Sequence, residues 1–243
     1  MLRLWFVSAL VLGAQCSRVE ATCVDPSSLV RSTVSINRIF NSQERHSDAG
    51  LLGIRGTAWF LSQTFMVTAE HVAAGMRLDG NWSRVEIAGG ERQRSIAVRV
   101  VRVAGAHTER IVALELQMPF LEAESLQIRT EPLAPEERVV SLAYPSNRLR
   151  FARGRFVEYD SYKLAGRALL EMYDGDDRLV LDHGASGAPV LDCQGRVVAV
   201  VSNLFTQIMR FPSNAIRIST AWGQANVASV PIQVLKDVAL AKD

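Results

Sequence analysis

Between Arg55 and Ile232 the sequence is a succession of short runs, each apolar throughout or alternating apolar with polar, separated by turn-forming residues. They fall at residues 55–62, 65–68, 83–88, 95–103 and 111–116, then at 138–144, 154–159, 167–172, 178–182, 188–192, 196–202, 215–219 and 227–232. Alternation at every second residue is the period of a strand with one buried face, and runs this short leave no room for a helical stripe of ordinary length. Many strands at this spacing close into barrels or stack as sandwiches, so the predicted fold class is all-β. A connection over residues 117–137, carrying Pro119, Pro132 and Pro135, divides the strands into two sets, which predicts two small β-barrels with a cleft between them. A chain of 243 residues, 48% of them hydrophobic, can build such cores. The one persuasive helix runs from Pro231 to about Ala241, where Ile232, Leu235, Val238 and Ala239 recur at three- and four-residue spacing behind a proline start.

The N-terminus opens Met1-Leu2-Arg3 and is apolar from Leu4 to Ala14, well short of the ~20 residues that span a bilayer. A basic start, a short apolar stretch and small residues beyond it describe a secretory signal, with the cut expected after Ala21 and a second choice after Cys16. The expected layout is a signal peptide at 1–21, an N-terminal arm at 22–54, a first barrel at 55–122, and a second barrel with the terminal helix at 123–243. The mature chain is expected to be secreted or periplasmic, with no membrane span. It retains two cysteines, Cys23 and Cys193; an even pair in an exported protein suggests one disulfide, the alternative being two separate buried thiols. A net charge of +2 with scattered arginines gives no reason to invoke nucleic acid, and no motif calls for a metal or a cofactor.

Two stretches carry chemistry. In Gly184-Ala185-Ser186-Gly187-Ala188-Pro189 a serine sits in a turn of small residues between two apolar runs, which leaves its hydroxyl open to a substrate carbonyl. The N–H groups of Gly184 and Ser186 can converge on one point, as an acyl-transfer oxyanion requires. Upstream, Gly56-Thr57-Ala58-Trp59-Phe60-Leu61 and Phe65-Met66-Val67-Thr68-Ala69-Glu70-His71 read as two strands ending in a histidine, a general base placed at a strand end. A Gly-x-Ser turn also suggests an α/β-hydrolase, but that fold needs a histidine after its serine and the last histidine here is His183.

In this order the two motifs resemble the histidine and serine motifs of the trypsin/chymotrypsin-like serine proteases, in the bacterial style of the glutamyl-endopeptidases and Deg-type enzymes. Ser141-Leu142-Ala143-Tyr144-Pro145 resembles the start of that family's second barrel, and residues 226–231 its closing strand. The resemblance covers most of residues 55–243. It implies two antiparallel six-stranded β-barrels with a short C-terminal helix, Ser186 as nucleophile, His71 as base and a protein or peptide as substrate. Two departures stand out. The family's aspartate heads a strand that here reads His107-Thr108-Glu109-Arg110-Ile111-Val112-Ala113-Leu114, so the acid position falls on Arg110 or Ile111. Glu109 is the nearest carboxylate and serves if the strand opens with a bulge; otherwise it is a solvated loop residue. Glu70 points away from His71 by chain geometry, and Asp79 belongs to the turn Asp79-Gly80-Asn81. The second departure is Ala185, where trypsins carry the aspartate that receives a newly cut N-terminus, so activation of that kind is not expected.

Carried over by spacing from Ser186, the floor of the primary pocket falls near Val180. Ser202, Asn203 and Leu204 form its wall, with Ala228 and Val230 from the closing strand. These residues imply small or medium aliphatic side chains before the scissile bond. Asp182, turned inward, would instead favour Lys or Arg, and His183 at the rim an acidic side chain. The expected function is an exported serine endopeptidase working through an acyl-enzyme. The alternative, motivated by the irregular acid segment, is a protease fold kept as a binding or scaffolding module.

Overall fold

The computed structural model describes residues 23–47, 52–89, 92–106, 109–160, 167–173, 184–204, 210–211, 214–215, 225–231 and 234–236. The first barrel closes through β1 (Thr33–Ile39), β2 (Gly53–Ser62), β3 (Phe65–Ala69), β4 (Ser83–Gly89), β5 (Arg92–Ala106) and β6 (Glu109–Leu116), in the order β1-β2-β3-β6-β5-β4. The second closes through β7 (Arg138–Ala143), β8 (Arg150–Tyr159), β9 (Ala168–Tyr173), β10 (Pro189–Leu191), β11 (Val197–Leu204) and β14 (Val227–Val230), in the order β10-β11-β14-β9-β8-β7. All the barrel pairings are antiparallel. A separate two-stranded ribbon joins β12 (Arg210–Phe211) to β13 (Asn214–Ala215).

The two six-stranded barrels agree with the expected fold class, and the first barrel begins earlier than residue 55. Part of the segment read as an N-terminal arm is β1, whose Val34 and Ile36 enter the barrel core while Ser35 pairs across to Thr57. With only two inward apolar residues among Thr33, Ser35, Asn37 and Arg38, the strand has a weak hydrophobic signature. The run expected at 178–182 lies outside the described residues, as do the expected signal segment and most of the expected terminal helix. Residues 234–236 are helical, and the Val234 N–H donates to the Pro231 carbonyl at 3.1 Å.

The inner strands are buried on both faces, which is why they read as nearly continuous apolar runs. Along β2, Ala58 and Phe60 enter the first core with Met66, Val112 and Leu114, while Trp59 and Leu61 face outward with Val67, Ile111 and Ala113. The second barrel meets this outward set with Val140, Leu142, Leu191, Val197 and Val200. Its own core is filled by Val139, Phe156, Leu170, Met172, Val190, Val198 and Val201. Each such side chain contributes about 1.5–3 kcal/mol when taken from water, so the seam between the barrels is a third core.

The connection over residues 117–137 runs along this seam. Its Leu126 N–H donates to the Phe60 carbonyl at 2.9 Å, and the Val197 N–H donates to Gln127 at 2.7 Å. Arg129 reaches Glu137 and lies 3.5 Å from the buried carboxylate of Asp192, whose oxygens also accept from the Gln194 and Arg196 N–H groups and from Arg196 Nε. Ahead of β1, Asp25 caps a 3-10 turn (Pro26–Ser32) and Val24 N–H donates to the Cys193 carbonyl at 3.1 Å. A disulfide joins Cys23 to Cys193 across 170 positions, as expected from the cysteine pair.

Candidate active site

The turn that carries Ser186 is built by two glycines. Gly184 has φ +98° and Gly187 has φ +91°, both in the left-handed region that side chains disfavour. At Gly187 space is as limiting as conformation: a Cβ there would lie 2.0 Å from the Thr57 carbonyl oxygen, 2.2 Å from Thr68 Oγ1 and 3.1 Å from the Ala69 nitrogen. The serine turn therefore rests against the end of β3, two residues before His71.

Thr57, fully buried in β2, ties the turn to the first barrel. Its N–H donates to the Ser186 carbonyl at 2.9 Å, and its hydroxyl donates to the Gly184 carbonyl at 2.7 Å. The same hydroxyl accepts from the Tyr144 N–H at 3.0 Å, and the Thr57 carbonyl accepts from Thr68 Oγ1 at 2.7 Å. From the other side, Gly187 N–H donates to the Val201 carbonyl and Val201 N–H to the Ala188 carbonyl, which binds the turn to β11, while Ala188 N–H closes the turn on the Ala185 carbonyl. The N–H groups of Gly184 and Ser186 make no hydrogen bond among the described residues. Ser186 Oγ donates to the Ser202 carbonyl at 3.2 Å, so the hydroxyl lies beside the stretch of β11 expected to wall the primary pocket.

His71 is exposed on α2 (Glu70–Gly75), the short helix entered directly from β3. Val72 and Ala73 bury the opposite side of that helix in the first core. Its neighbour Glu70 forms an ion pair with Arg110 at 3.0 Å. β3 and β6 run in register with Thr68 opposite Val112 and Ala69 opposite Ile111, which sets Arg110 across from the start of the helix. Arg110 is thus engaged with Glu70, and Ile111 is fully buried in the seam. Glu109 opens β6 opposite Ala106 in a regular register; the irregularity between β5 and β6 lies elsewhere, between Val100 and Arg102.

In the pocket region Ser202, Ala228 and Val230 are buried, and Asn203 pairs with Ala228 and Leu204 with Val227. Val180, Asp182 and His183 lie outside the described residues. Thr57, Thr68 and the Arg110–Glu70 pair are not singled out by the sequence reading. The available signal for Thr57 is a polar residue heading the apolar stretch Ala58-Trp59-Phe60-Leu61.

Two antiparallel six-stranded barrels packed along a seam, with a serine turn held against the strand that delivers a histidine, define the chymotrypsin-like class of fold. Residues 56–200 match the trypsin-like peptidase domain, and the chain belongs to that family. No curated protein matches the sequence. Among solved structures, the Rv3671c protease of M. tuberculosis H37Rv is similar in a mutant, inactive form, with 18% identity and a TM-score of 0.55 over 89% of this chain and 88% of that one. Its active form gives 18% identity and 0.55 over 89% and 82%. A scabies mite inactivated protease paralogue, S-D1, gives 13% identity and 0.61 over 91% and 96%. At these identities the likeness is one of fold.

Proposed function

We propose that the protein is an exported serine endopeptidase. Ser186 attacks the peptide carbonyl, His71 accepts the proton and returns it to the leaving amine, and the Gly184 and Ser186 N–H groups receive the oxyanion. Glu109 is kept as the acid proposed to orient His71, although β6 opens in regular register and not with the bulge that role was expected to need. Small or medium aliphatic residues precede the scissile bond, in the pocket that spacing from Ser186 assigns to Val180, Ser202, Asn203 and Leu204. The supporting observation is the serine turn itself, with its left-handed glycines, two N–H groups that make no hydrogen bond among the described residues, and contact with the chain just before His71.

The second reading, a protease fold serving as a binding module, is favoured by the Arg110–Glu70 pair, which fills one of the two candidate acid positions with a cation. A fluorophosphonate probe separates the two. Labelling of the mature protein that vanishes in Ser186→Ala is the expected result; folded wild-type protein that takes no label supports the module.

A further inference from the structure

Resting on the serine-peptidase reading, we infer that Thr57 is a positioning residue that holds the Ser186 turn in its working shape. It takes the place of the ion pair that trypsins form with a newly cut N-terminus. That ion pair needs a carboxylate next to the serine, and Ala185 has none. Its side chain is fully buried in the second core, in the same cluster as Ala188 and Val190. The turn must be held through its peptide groups, and the hydrogen bonds show which ones.

The carbonyls of Gly184 and Ser186 flank the peptide plane that carries the Ser186 N–H. Both are bound to one residue, the first by the Thr57 hydroxyl at 2.7 Å and the second by its N–H at 2.9 Å. With a carbonyl fixed on each side, the plane between them has little freedom to rotate. Thr57 is itself immobilised. Its hydroxyl accepts from Tyr144, its carbonyl accepts from Thr68, and Gly187 packs so closely on that carbonyl that no Cβ fits. A hydroxyl donates once and accepts up to twice, so this site uses the donor fully and leaves no buried group unpaired. The lock is uncharged and intramolecular, and it forms when the two barrels meet. The shape of the turn therefore does not depend on cutting the N-terminus.

The test compares wild type, Thr57→Val and Thr57→Ser as full mature chains. Valine keeps the shape of threonine but leaves the Gly184 carbonyl and the Tyr144 N–H without their partner. Serine keeps the hydroxyl. Two measurements are made: fluorophosphonate labelling with peptide turnover, and hydrogen exchange of the backbone over residues 184–188. The expected result for Thr57→Val is faster exchange in this turn and a kcat lower by roughly 10- to 100-fold with KM nearly unchanged, less than the loss of an oxyanion donor outright. Thr57→Ser should restore both. Wild-type exchange and turnover in Thr57→Val would overturn the inference. An unlabelled wild type whose turn still loosens in Thr57→Val refutes the peptidase reading and leaves the lock standing. Exchange unaffected by valine in an unlabelled protein removes both.

Discussion

At the scale of single residues, the chemistry of this molecule turns on which carboxylate, if any, faces His71. In the serine-protease template the acid holds the imidazole in one tautomer and steadies its charged form, and losing it costs about 10⁴ in turnover while geometry survives. If Glu109 has that part, Glu109→Gln lowers kcat by a few orders of magnitude with an unchanged melting temperature; activity within about threefold of wild type removes it from the mechanism. The serine and histidine were legible because each lies in a motif whose neighbours are constrained, small residues around Ser186 and an apolar strand before His71. The Arg110–Glu70 pair was not, since it depends on how two strands distant in sequence align side by side, and no local pattern carries that register. Thr57 was hidden for a related reason. A threonine is an ordinary strand residue, and its importance comes from a turn more than a hundred positions away.

Strands and connections were legible where burial is double-sided and obscure where it is not. The runs that became β2, β3, β6, β7 and β11 announced themselves as apolar because each supplies two cores, whereas β1 offers Val34 and Ile36 within a polar setting. The connector between the barrels was recognised by its prolines, but its ion cluster was not. Within that cluster, burial raises the Glu137 carboxyl, yet the Arg129 guanidinium and the Ala134 N–H outweigh it and hold the group below its ordinary value. A folded-state pKa below the unfolded one gives stability that is complete above about pH 4.5 and disappears as pH falls through the lowered folded value. Glu137→Gln should therefore melt at a lower temperature than wild type near neutrality, and the gap should close in acid. A gap that stays constant from pH 7 to pH 3 would show that this carboxylate's charge contributes nothing.

On the scale of the whole molecule, the described residues form two barrels joined by an apolar seam, with one disulfide running from Cys23, ahead of β1, to the turn after β10. A crosslink closing so long a loop contributes ~2–5 kcal/mol, mainly by limiting the unfolded chain, so reduction should lower the melting temperature measurably. Two free thiols in the unreduced protein, found by mass spectrometry, would contradict the bond. The position of that bond also sets a schedule. A chain is made, and if exported is threaded, from its N-terminus, so Cys23 emerges long before Cys193 and waits while nearly all of both barrels follow. Until β10 and β11 arrive, the face of Trp59, Leu61 and Val67 is covered only in part, by Leu126, Val140 and Leu142, and an apolar face left open in this way invites wrong partners. The correct crosslink must wait for Cys193, which follows β10, so ten of the twelve barrel strands precede the oxidation that ties them. An oxidant acting too early would find Cys23 before Cys193 is in reach and couple it to the wrong thiol.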